Sequence, residues 1–534
     1  MVNKRFNKDD YKDVKRVNVQ TGFRDEVSAK QSPLSAAIYA AVINDGIIGE
    51  KEAKKALLLF EKNCSQQIMS DARNRVNGHK NIERLLDVIE SGVPIRANVV
   101  SHPKVEELSP EVISIVRRMT SKKNGQEIPT PFYLYFEDSL EKNMKELMQY
   151  PAPFGLTVRY AMKANSNAAI LKIFDKLGAH IDASSVGEVY RAIQGPAEIN
   201  PNKIRLTSQE VPNAHDLKYL VGSGVNYTAC SLRQLELYGI LFPNSKIAIR
   251  FNVGIGSGWN NATNTGGVNA DFGIYEKHAE IDSLLKKYNL TLDTIHLHIG
   301  SGSNPEKQKE AALAGIELAK KYSDVIVLNL GGGIKVGRMN YEKSTDIMDL
   351  GKPTAEALRN FYQETRRKIH VEIEPGTRAV ANAGVIVASV TDIVDTGDKG
   401  YTFIKTDSGM TENARIQFYG AQNPIVVVTD NKKIIVRELI FKGSCCESGD
   451  VSTVREGFPE IIEPRRMIMP SIVDKVVTTG TGAYCSSMAP SNYNSHVRAA
   501  EYLARKNNGV VDLIRKRQEL SDIYKDEVVP LDLK

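Results

Sequence analysis

A lysine in an apolar setting is the first residue of this chain that could do chemistry. Lys163 lies in the segment YAMKAN (160–165), directly after a short apolar run. A lone lysine is usually a solvated surface residue, but burial among small and apolar neighbours disfavours the ammonium and lowers its pKa. A neutral amine is the form that makes a Schiff base with a carbonyl group. The sequence therefore predicts a lowered pKa for Lys163 and covalent chemistry with an aldehyde or ketone.

Two histidines end a later apolar run. If the run is a strand, His296 and His298 share one face, because side chains alternate along a strand with a period of two. Two histidines could bind a metal ion, but no carboxylate or thiol stands beside them at ligand spacing. We expect no metal site, and either histidine could be an interior residue of the fold.

A glycine triplet and a glutamate follow the next two apolar runs. Gly331, Gly332 and Gly333 would let backbone N–H groups approach a phosphate closely, although a tight turn also explains such a triplet. Glu374-Pro375-Gly376 combines a carboxylate, a rigid turn and a further glycine, and a structural ion pair is its alternative interpretation. The ordered set of lysine, histidine, glycines and glutamate, each after an apolar run, indicates one site where several strands end.

The elements that must position these residues alternate in type. Between Pro129 and about residue 385, short β-branched runs alternate with helical stretches, which predicts an α/β fold, a (β/α)8 barrel with its active site at the carboxyl ends of the strands. Residues 386–534 are dominated by β-branched runs and predict a C-terminal all-β domain. Residues 1–127 predict an N-terminal α-helical extension that starts with a flexible arm (1–30) and ends at a linker (122–126). The barrel then spans 128–385, although its first strand could pair with the C-terminal domain.

Composition limits the class of protein. The chain has 534 residues, of which 42% are apolar and 25% charged, so a disordered chain or a disulfide-bonded mini-protein is excluded. No run of 18 apolar residues predicts a membrane span, and the five cysteines are typical of a reducing compartment, so we expect a cytoplasmic protein. The net charge of +6 is concentrated in the first 127 residues among interspersed acids, and nucleic-acid binding is not expected.

From Pro129 onward the chain resembles the fold-type III decarboxylases that use pyridoxal 5'-phosphate (PLP), and within them the diaminopimelate decarboxylases. The resemblance rests on the lysine, histidine, glycine and Glu-Pro-Gly segments and on motifs in the last third of the chain. These are Cys446-Glu447-Ser448-Gly449-Asp450, Gly482-Ala483-Tyr484, the segment 491–495 and the pair Arg415 and Tyr419. The first 125 or so residues have no counterpart in the resemblance.

The resemblance implies a role for each of these residues. Lys163 would hold PLP covalently and act with Cys446 in catalysis, and Cys446 would come from the partner subunit of a homodimer to donate a proton. The implied cofactor-binding residues are Lys163, His298, Ser301, Gly331, Gly332, Gly333, Glu374, Gly376 and Tyr484, with Glu374 on the ring nitrogen. The implied substrate-binding residues are Arg415 and Tyr419 for a distal carboxylate, Glu447 for a distal ammonium, and Tyr484.

Two departures bear on the substrate. The family usually continues Glu-Pro-Gly with an arginine that contacts phosphate and distal carboxylate, whereas Thr377 stands here and Arg378 follows it. If side chains alternate at this point, Arg378 faces away and one carboxylate contact is lost. Pro490 is an apparent extra residue, which would shift the aromatic residue Tyr493 that lines the family's substrate pocket.

The resulting hypothesis is a carboxy-lyase of lysine biosynthesis that converts meso-2,6-diaminopimelate into L-lysine and CO2. One alternative is a decarboxylase for another diamino acid or a siderophore precursor, which Thr377 keeps open. A different class of alternative is a catalytically inactive homologue that binds a partner, and the presence of both Lys163 and Cys446 argues against it. The function of residues 1–127 is not indicated by their sequence.

Overall fold

The computed structural model describes residues 105–121, 127–258, 263–506 and 509–533. In the first 104 residues it describes 14–21, 23–28, 47–48, 50–64, 80–91 and 95–101, with positions 35, 38–39, 42, 68–69 and 72. The predicted linker 122–126 and parts of the predicted arm lie outside these residues. Two compact units divide the chain, Met1–Val105 and Glu106–Lys534. Of the helices in the described residues, none is long and apolar enough to cross a membrane.

The first unit contains a sheet that the sequence analysis did not predict. Its strands are Val14–Thr21, Phe23–Ser28, Ile47–Ile48 and Ile95–Ser101, and its longer helices are Glu50–Asn63 and Lys80–Ser91. The expectation of a flexible arm over residues 1–30 is therefore wrong for residues 14–28, and the extension is mixed α/β where described. Val14–Thr21 pairs antiparallel with Ile95–Ser101, some 75 residues later. A pairing partner so distant leaves no local signal.

The second unit begins with a helix that packs against the C-terminal sheet. Pro110–Met119 has Ser109 as its N-cap, whose hydroxyl accepts a hydrogen bond from the N–H of Val112. Its buried face, including Val116 and Met119, packs in one apolar cluster with Phe132 of the strand Phe132–Phe136. The predicted boundary at residue 127 therefore falls inside this unit, about twenty residues after the structural division.

Eight parallel strands form a closed barrel. Each strand pairs with the next along the chain, and His370–Ile373 pairs with Leu156–Ala161 to close the ring. The strands are Leu156–Ala161, His180–Ala183, Ile204–Leu206, Asn226–Ala229, Lys246–Asn252, Thr291–His296, Val327–Asn329 and His370–Ile373. Ile274–Tyr275 adds a short strand beside Lys246–Asn252. The predicted (β/α)8 barrel is confirmed.

Helices surround this barrel and present their apolar faces to it. The helices are Glu137–Leu147, Ala168–Lys176, Val186–Gln194, Ala214–Gly222, Leu232–Leu241, His278–Tyr288, Pro305–Lys321 and Ile347–Thr365. Several start at an Asn, Ser or Asp whose side chain accepts a hydrogen bond from a backbone N–H of the first turn, as Ser185 does from Glu188. The parallel strands they cover end at one rim, which is where the site forms.

The C-terminal domain is built on a largely antiparallel sheet, as predicted. Its central strand, Gly384–Asp395, pairs with Thr402–Thr406, Lys475–Thr479 and Phe132–Phe136. The remaining strands are Ile425–Val428, Val436–Lys442, Val454–Arg455, Phe458–Ile462, Arg465–Ile468, Ala500–Ala504 and Val511–Arg515. Short helices lie at Thr377–Val380, Arg415–Tyr419 and Ser521–Tyr524. Because Phe132–Phe136 precedes the barrel yet pairs here, both domains are tied together at the start of the barrel.

Candidate active site

Lys163 lies on a tight turn at the end of the first barrel strand. The strand Leu156–Ala161 passes into a single 3-10 turn, Met162–Ala164, which projects the lysine side chain into a cavity at the rim. A segment of the C-terminal domain holds this turn. The N–H of Tyr484 donates to the carbonyl of Ala164 at 2.7 Å, and the hydroxyl of Ser487 donates to the carbonyl of Lys163 at 3.0 Å. The position of the lysine therefore depends on both domains.

The charge environment of Lys163 differs from the prediction. Burial within the barrel rim lowers the pKa of this lysine, but Asp182, Tyr484 and Glu374 raise it, and the net pKa lies above its usual value. The Lys163 side chain is exposed to solvent through the cavity, although the cavity itself is surrounded by protein. The predicted lowered pKa is therefore wrong, since the apolar neighbours in the sequence do not reveal the acids that other strands supply.

Asp182 ends the second barrel strand, His180–Ala183, and lies in the same cavity as Lys163. Burial, and then the neighbouring Glu374 carboxylate, raise the pKa of Asp182 to about 7. Its Oδ1 atom is buried without a hydrogen-bond partner among the described residues. A carboxyl group that titrates near neutrality beside an amine is suited to exchanging a proton with it.

Glu374 is held as an anion by two side chains from neighbouring strands. The Nε2 atom of His296 lies 3.1 Å from one carboxylate oxygen, and the amide of Asn329 donates to the other at 2.6 Å. Burial raises the pKa of Glu374, but His296 and then Lys163 outweigh it and hold the pKa well below its usual range. Glu374 also lines the cavity of Lys163. An ionised carboxylate at this position can accept a hydrogen bond from a protonated heterocyclic nitrogen.

A glycine triplet packs closely beside Glu374, and two of its residues, Gly332 and Gly333, line the cavity. A Cβ atom on Gly331, Gly332 or Gly333 would collide with the carbonyl oxygens of Leu297, Glu374 and Gly300, respectively, so no larger residue fits. Gly333 also has φ of +87°, which a side chain strongly disfavours. The N–H of Gly331 donates to Asn329 at 2.8 Å and that of Gly332 to His298 at 3.1 Å, so the triplet is held closely against its neighbours.

The same cavity brings together most of the predicted cofactor residues. It has about 430 Å³ of empty space and is lined by Lys163, His298, Ser301, Gly332, Gly333, Glu374, Gly376 and Tyr484, among others. Gly331 is adjacent, and the Nδ1 atom of His298 accepts a hydrogen bond from the N–H of Gly332 at 3.1 Å. Burial, then Arg250, lower the pKa of His298 well below its usual value, so its ring is neutral at neutral pH.

A larger cleft opens from this cavity toward the C-terminal domain. It encloses about 1200 Å³, part of it open to solvent, and Lys163, Ser301, Thr377 and Tyr484 line both spaces. It is also lined by Arg415 and Tyr419, at the two ends of the short helix Arg415–Tyr419. A molecule attached near Lys163 can thus extend one end toward Arg415.

Thr377 and Arg378 both line the smaller cavity, but of the two only Thr377 also lines the cleft. Thr377 lines the cleft, whereas Nη2 of Arg378 donates to Glu146 at 2.7 Å on the helix Glu137–Leu147. Residues Thr377–Val380 are helical, so the side chains do not alternate here as the sequence analysis supposed. Arg378 nevertheless lies outside the residues that line the large cleft, and its guanidinium is engaged elsewhere.

Comparison with known proteins places this geometry in a family. Residues 137–381 match the pyridoxal-binding domain of the pyridoxal-dependent decarboxylases. Diaminopimelate decarboxylase of Buchnera aphidicola subsp. Schizaphis graminum is 32% identical over 399 residues, which span 74% of this chain and 93% of the relative. The chain belongs to the diaminopimelate decarboxylase family. The Escherichia coli K12 enzyme of that name is 29% identical over 412 residues, 76% of this chain and 95% of its own length.

Solved diaminopimelate decarboxylases have the same fold. One crystal structure aligns with a TM-score of 0.68 at 28% identity, covering 77% of this chain and 96% of its own. The Helicobacter pylori enzyme, complexed with L-lysine, aligns with a TM-score of 0.66 at 26% identity, covering 76% of this chain and 98% of its own. The barrel and the C-terminal domain therefore have the fold of these enzymes.

Two predicted site residues of the decarboxylase motif lie apart from the cleft within this chain. Cys446 and Glu447 are exposed and are absent from the residues that line either space. The N–H of Cys446 donates to the side-chain oxygen of Asn494 at 2.8 Å, and Glu447 accepts from the N–H of Gly449 at 3.0 Å. These bonds fix the motif as a surface loop.

The segment around Pro490 places a different side chain in the cleft. Met488 lines the cleft beside Tyr419, whereas Tyr493 is 39% exposed and is absent from the lining. The hydroxyl of Tyr419 lies 4.0 Å from the sulfur of Met488. The thioether therefore occupies a position where the resemblance led us to look for an aromatic ring.

Sequence reasoning missed Asp182 and Arg338. Asp182 lies near the carboxyl end of the barrel strand HIDA (180–183), and this position in the sequence could have identified it as a residue of the rim. Arg338 lines the large cleft from the loop after the glycine triplet. It has no such signal, because loop conformation rather than periodicity brings it to the cleft.

Proposed function

We propose that this protein decarboxylates meso-2,6-diaminopimelate to L-lysine and CO2 with PLP as cofactor. The observation that carries the proposal is one cleft lined by both Lys163 and Arg415. A carboxylate at the far end of a substrate matches a guanidinium in charge and in shape. Diaminopimelate, unlike lysine or ornithine, has a second carboxylate at that end.

The residues of the smaller cavity fit PLP. Gly331, Gly332 and Gly333 with Ser301 and Tyr484 would hold its phosphate, Lys163 its aldehyde carbon, and Glu374 its ring nitrogen, while His298 would lie against the ring. When bound, PLP supplies an electron sink for the pair of electrons left on Cα as CO2 departs. The close-packed glycine wall and the buried anionic Glu374 are the observations that support this assignment.

The chain's own residues would orient the substrate and move its protons. Lys163 would give up its place to the substrate amine, and Asp182 would accept or return the proton of the Lys163 ammonium. Glu374 would keep the ring nitrogen protonated, because its carboxylate stays ionised. Arg415 and Tyr419 would anchor the distal carboxylate, which fixes the position of the α-carboxylate that is lost.

A homodimer would complete the site. Cys446 and Glu447 are exposed on a loop that does not reach the cleft of its own chain. In a shared site, Cys446 of a second copy would donate its thiol proton to Cα after CO2 leaves, and Glu447 would bind the distal ammonium. We place the enzyme in the cytoplasm, since the five cysteines are all free thiols.

A second substrate remains a candidate because of Thr377. A threonine in the wall of the cleft cannot form the ion pair of an arginine, so another diamino acid or a siderophore precursor could bind there. An inactive homologue is disfavoured by the complete set of Lys163, Glu374 and Cys446.

The test is CO2 release by the PLP-loaded protein from meso-diaminopimelate, L-lysine, L-ornithine and L-arginine, each measured under the same conditions. Strong preference for diaminopimelate is expected. Preference for one of the monocarboxylates would replace the proposed substrate, and the absence of CO2 from all four with PLP bound would contradict the proposal.

A further inference from the structure

Two arginines face the large cleft with unused hydrogen-bond donors. Arg338 and Arg415 both line it, from the loop after residues 331–333 and from the C-terminal domain, respectively. The Nη2 atom of Arg338 and the Nη1 atom of Arg415 are buried and have no hydrogen-bond partner among the residues that the structure describes. A buried guanidinium N–H without an acceptor is costly. The two guanidinium groups therefore lack hydrogen-bond acceptors that a bound ligand would supply.

The two arginines also lack an ion-pair partner in the described part of the chain, although the carboxylates Glu342 and Glu456 line the same cleft. Burial, followed by the proximity of Arg415, lowers the pKa of Arg338 to about 9, so the two guanidinium groups repel each other. Glu342 is near Arg338, but its Oε2 accepts from the backbone N–H groups of Arg338 and Met339 at 2.7 and 3.0 Å. An anion bound in the cleft would relieve the repulsion.

The C-terminal domain fixes the Arg338 side chain in place. Its Nε–H donates to the carbonyl of Gly480 at 2.9 Å. Gly480 has φ of +68°, and a Cβ atom there would lie 3.0 Å from both Cγ and Cδ of Arg338. A glycine is therefore needed for the arginine to pack along this backbone. The guanidinium is oriented before any ligand arrives, which reduces the entropy lost on binding.

The other cations nearby are not equivalent to Arg338: Lys335 lines the cleft with an ammonium that lacks the planar fork of an arginine, and Arg378 is engaged elsewhere. Arg378 pairs with Glu146 at 2.7 Å, and Thr377 is the residue of that turn that lines the cleft. The guanidinium groups that line the cleft in the described residues are those of Arg338 and Arg415. A carboxylate has two oxygens and can accept from both.

We propose that Arg338 binds the distal carboxylate of the substrate together with Arg415 and thereby determines specificity for dicarboxylic amino acids. The substrate in this inference rests on the proposed function. The site itself rests on the unpartnered N–H groups, the fixed side chain and the shared cleft.

The test compares Arg338→Met and Arg338→Lys with the surface control Arg437→Met. The measurements are KM and kcat for meso-diaminopimelate and the affinity for cadaverine, a five-carbon diamine that has no carboxylate. Arg338→Met should raise KM more than about ten-fold while changing the affinity for cadaverine less than about two-fold. Arg338→Lys keeps the charge but loses the planar fork, and should raise KM by about three-fold or more. Arg437 is exposed in the C-terminal sheet, and its variant should match the wild type.

An unchanged KM, or an equal loss of affinity for cadaverine, would overturn the role of Arg338. If Arg338→Met does not retain PLP, the same comparison of KM and ligand affinity is made with Arg338→Lys. If the wild type does not decarboxylate diaminopimelate, the proposed function fails, and calorimetry with pimelate, a seven-carbon dicarboxylate without amines, tests the site separately. The wild type is then expected to bind pimelate, and Arg338→Met to bind it about ten-fold or more weakly. No binding by the wild type, or equally strong binding by the variant, would refute the inference.

Discussion

Arg378 and Glu146 form an ion pair at 2.7 Å, and this contact directs the guanidinium of Arg378 to the helix Glu137–Leu147. The preceding residue, Thr377, lines the cleft instead. Consecutive residues of a helix point about 100° apart around its axis, so the side chains of Thr377 and Arg378 point in different directions. In the described residues, the guanidinium groups that line the cleft are therefore those of Arg338 and Arg415, from two other parts of the chain, and Lys335 lines it with an ammonium group.

Replacing Lys163 with alanine should abolish the near-visible absorbance band of bound PLP, because Lys163 is the amine expected to hold the aldehyde. The measurement is the absorbance spectrum of the purified protein after incubation with PLP. Lys335→Ala is the matched control, since Lys335 lines the same large cleft and should leave the band in place. A band that survives in Lys163→Ala and disappears in Lys335→Ala would show that the wrong lysine was assigned.

Replacing Asp182 with asparagine should shift the uptake of PLP to lower pH. Asp182 is the strongest of the groups that raise the pKa of Lys163, and only the neutral amine reacts with an aldehyde. Removing the charge lowers the lysine pKa, so the neutral fraction at a given pH increases. The rate of PLP uptake by the apoenzyme, followed against pH, measures this shift. A pH profile that stays in place or moves upward would exclude the electrostatic role of Asp182.

Replacing Cys446 with alanine should slow turnover while PLP remains bound, because the thiol is the expected proton donor to Cα. Cys445→Ala is the control, since burial raises the pKa of Cys445 to about 12 and its thiol is not assigned a role. Turnover and PLP content are measured for both variants. An unchanged rate in Cys446→Ala would remove it from the mechanism.

Mixing subunits tests whether the site is shared. With equal co-expression of Lys163→Ala and Cys446→Ala chains, half of the dimers are hybrids with one intact site each, and about a quarter of wild-type activity is expected. If Cys446 serves the Lys163 of its own chain, the hybrids have no intact site and activity stays at the level of the separate variants.

Replacing Glu372 with glutamine should destabilise the barrel. Glu372 is buried inside it, 2.7 Å from Nη2 of Arg159 and 3.4 Å from Nε of Arg205. Removing one partner of a buried ion pair costs about 3 kcal/mol, since the remaining charges are left without compensation. Thermal melting should show a lower Tm than for Glu356→Gln, an exposed control on the helix Ile347–Thr365. Equal Tm values for the two variants would contradict this account.

Acid stability should depend on the same carboxylate. Burial favours its neutral form, but Arg205 and Arg159 outweigh burial and lower the pKa of Glu372 from 4.5 to about 2. The stabilisation is therefore fully present above about pH 4.5 and is lost as the pH falls toward 2. The Tm difference between wild type and Glu372→Gln should shrink over that range, and a constant difference would exclude this carboxylate as its source.

The sequence by itself determined the barrel, the C-terminal sheet and the positions of the residues at the rim. Periodicity is a local property, and barrel strands place the residues that follow them at one rim, so Lys163, His298 and Glu374 could be grouped before any contact was known. The strands Val14–Thr21 and Phe23–Ser28 were missed, because their polar sequences form a sheet with a partner far along the chain.

The tertiary structure alone decided the charges and directions of the side chains. The pKa of Lys163 is raised rather than lowered, because Asp182 and Glu374 reach it from other strands. Arg338 comes to face the cleft beside Arg415 through a loop conformation held by Gly480. Electrostatic interactions depend on distances through space, which spacing along the chain does not encode.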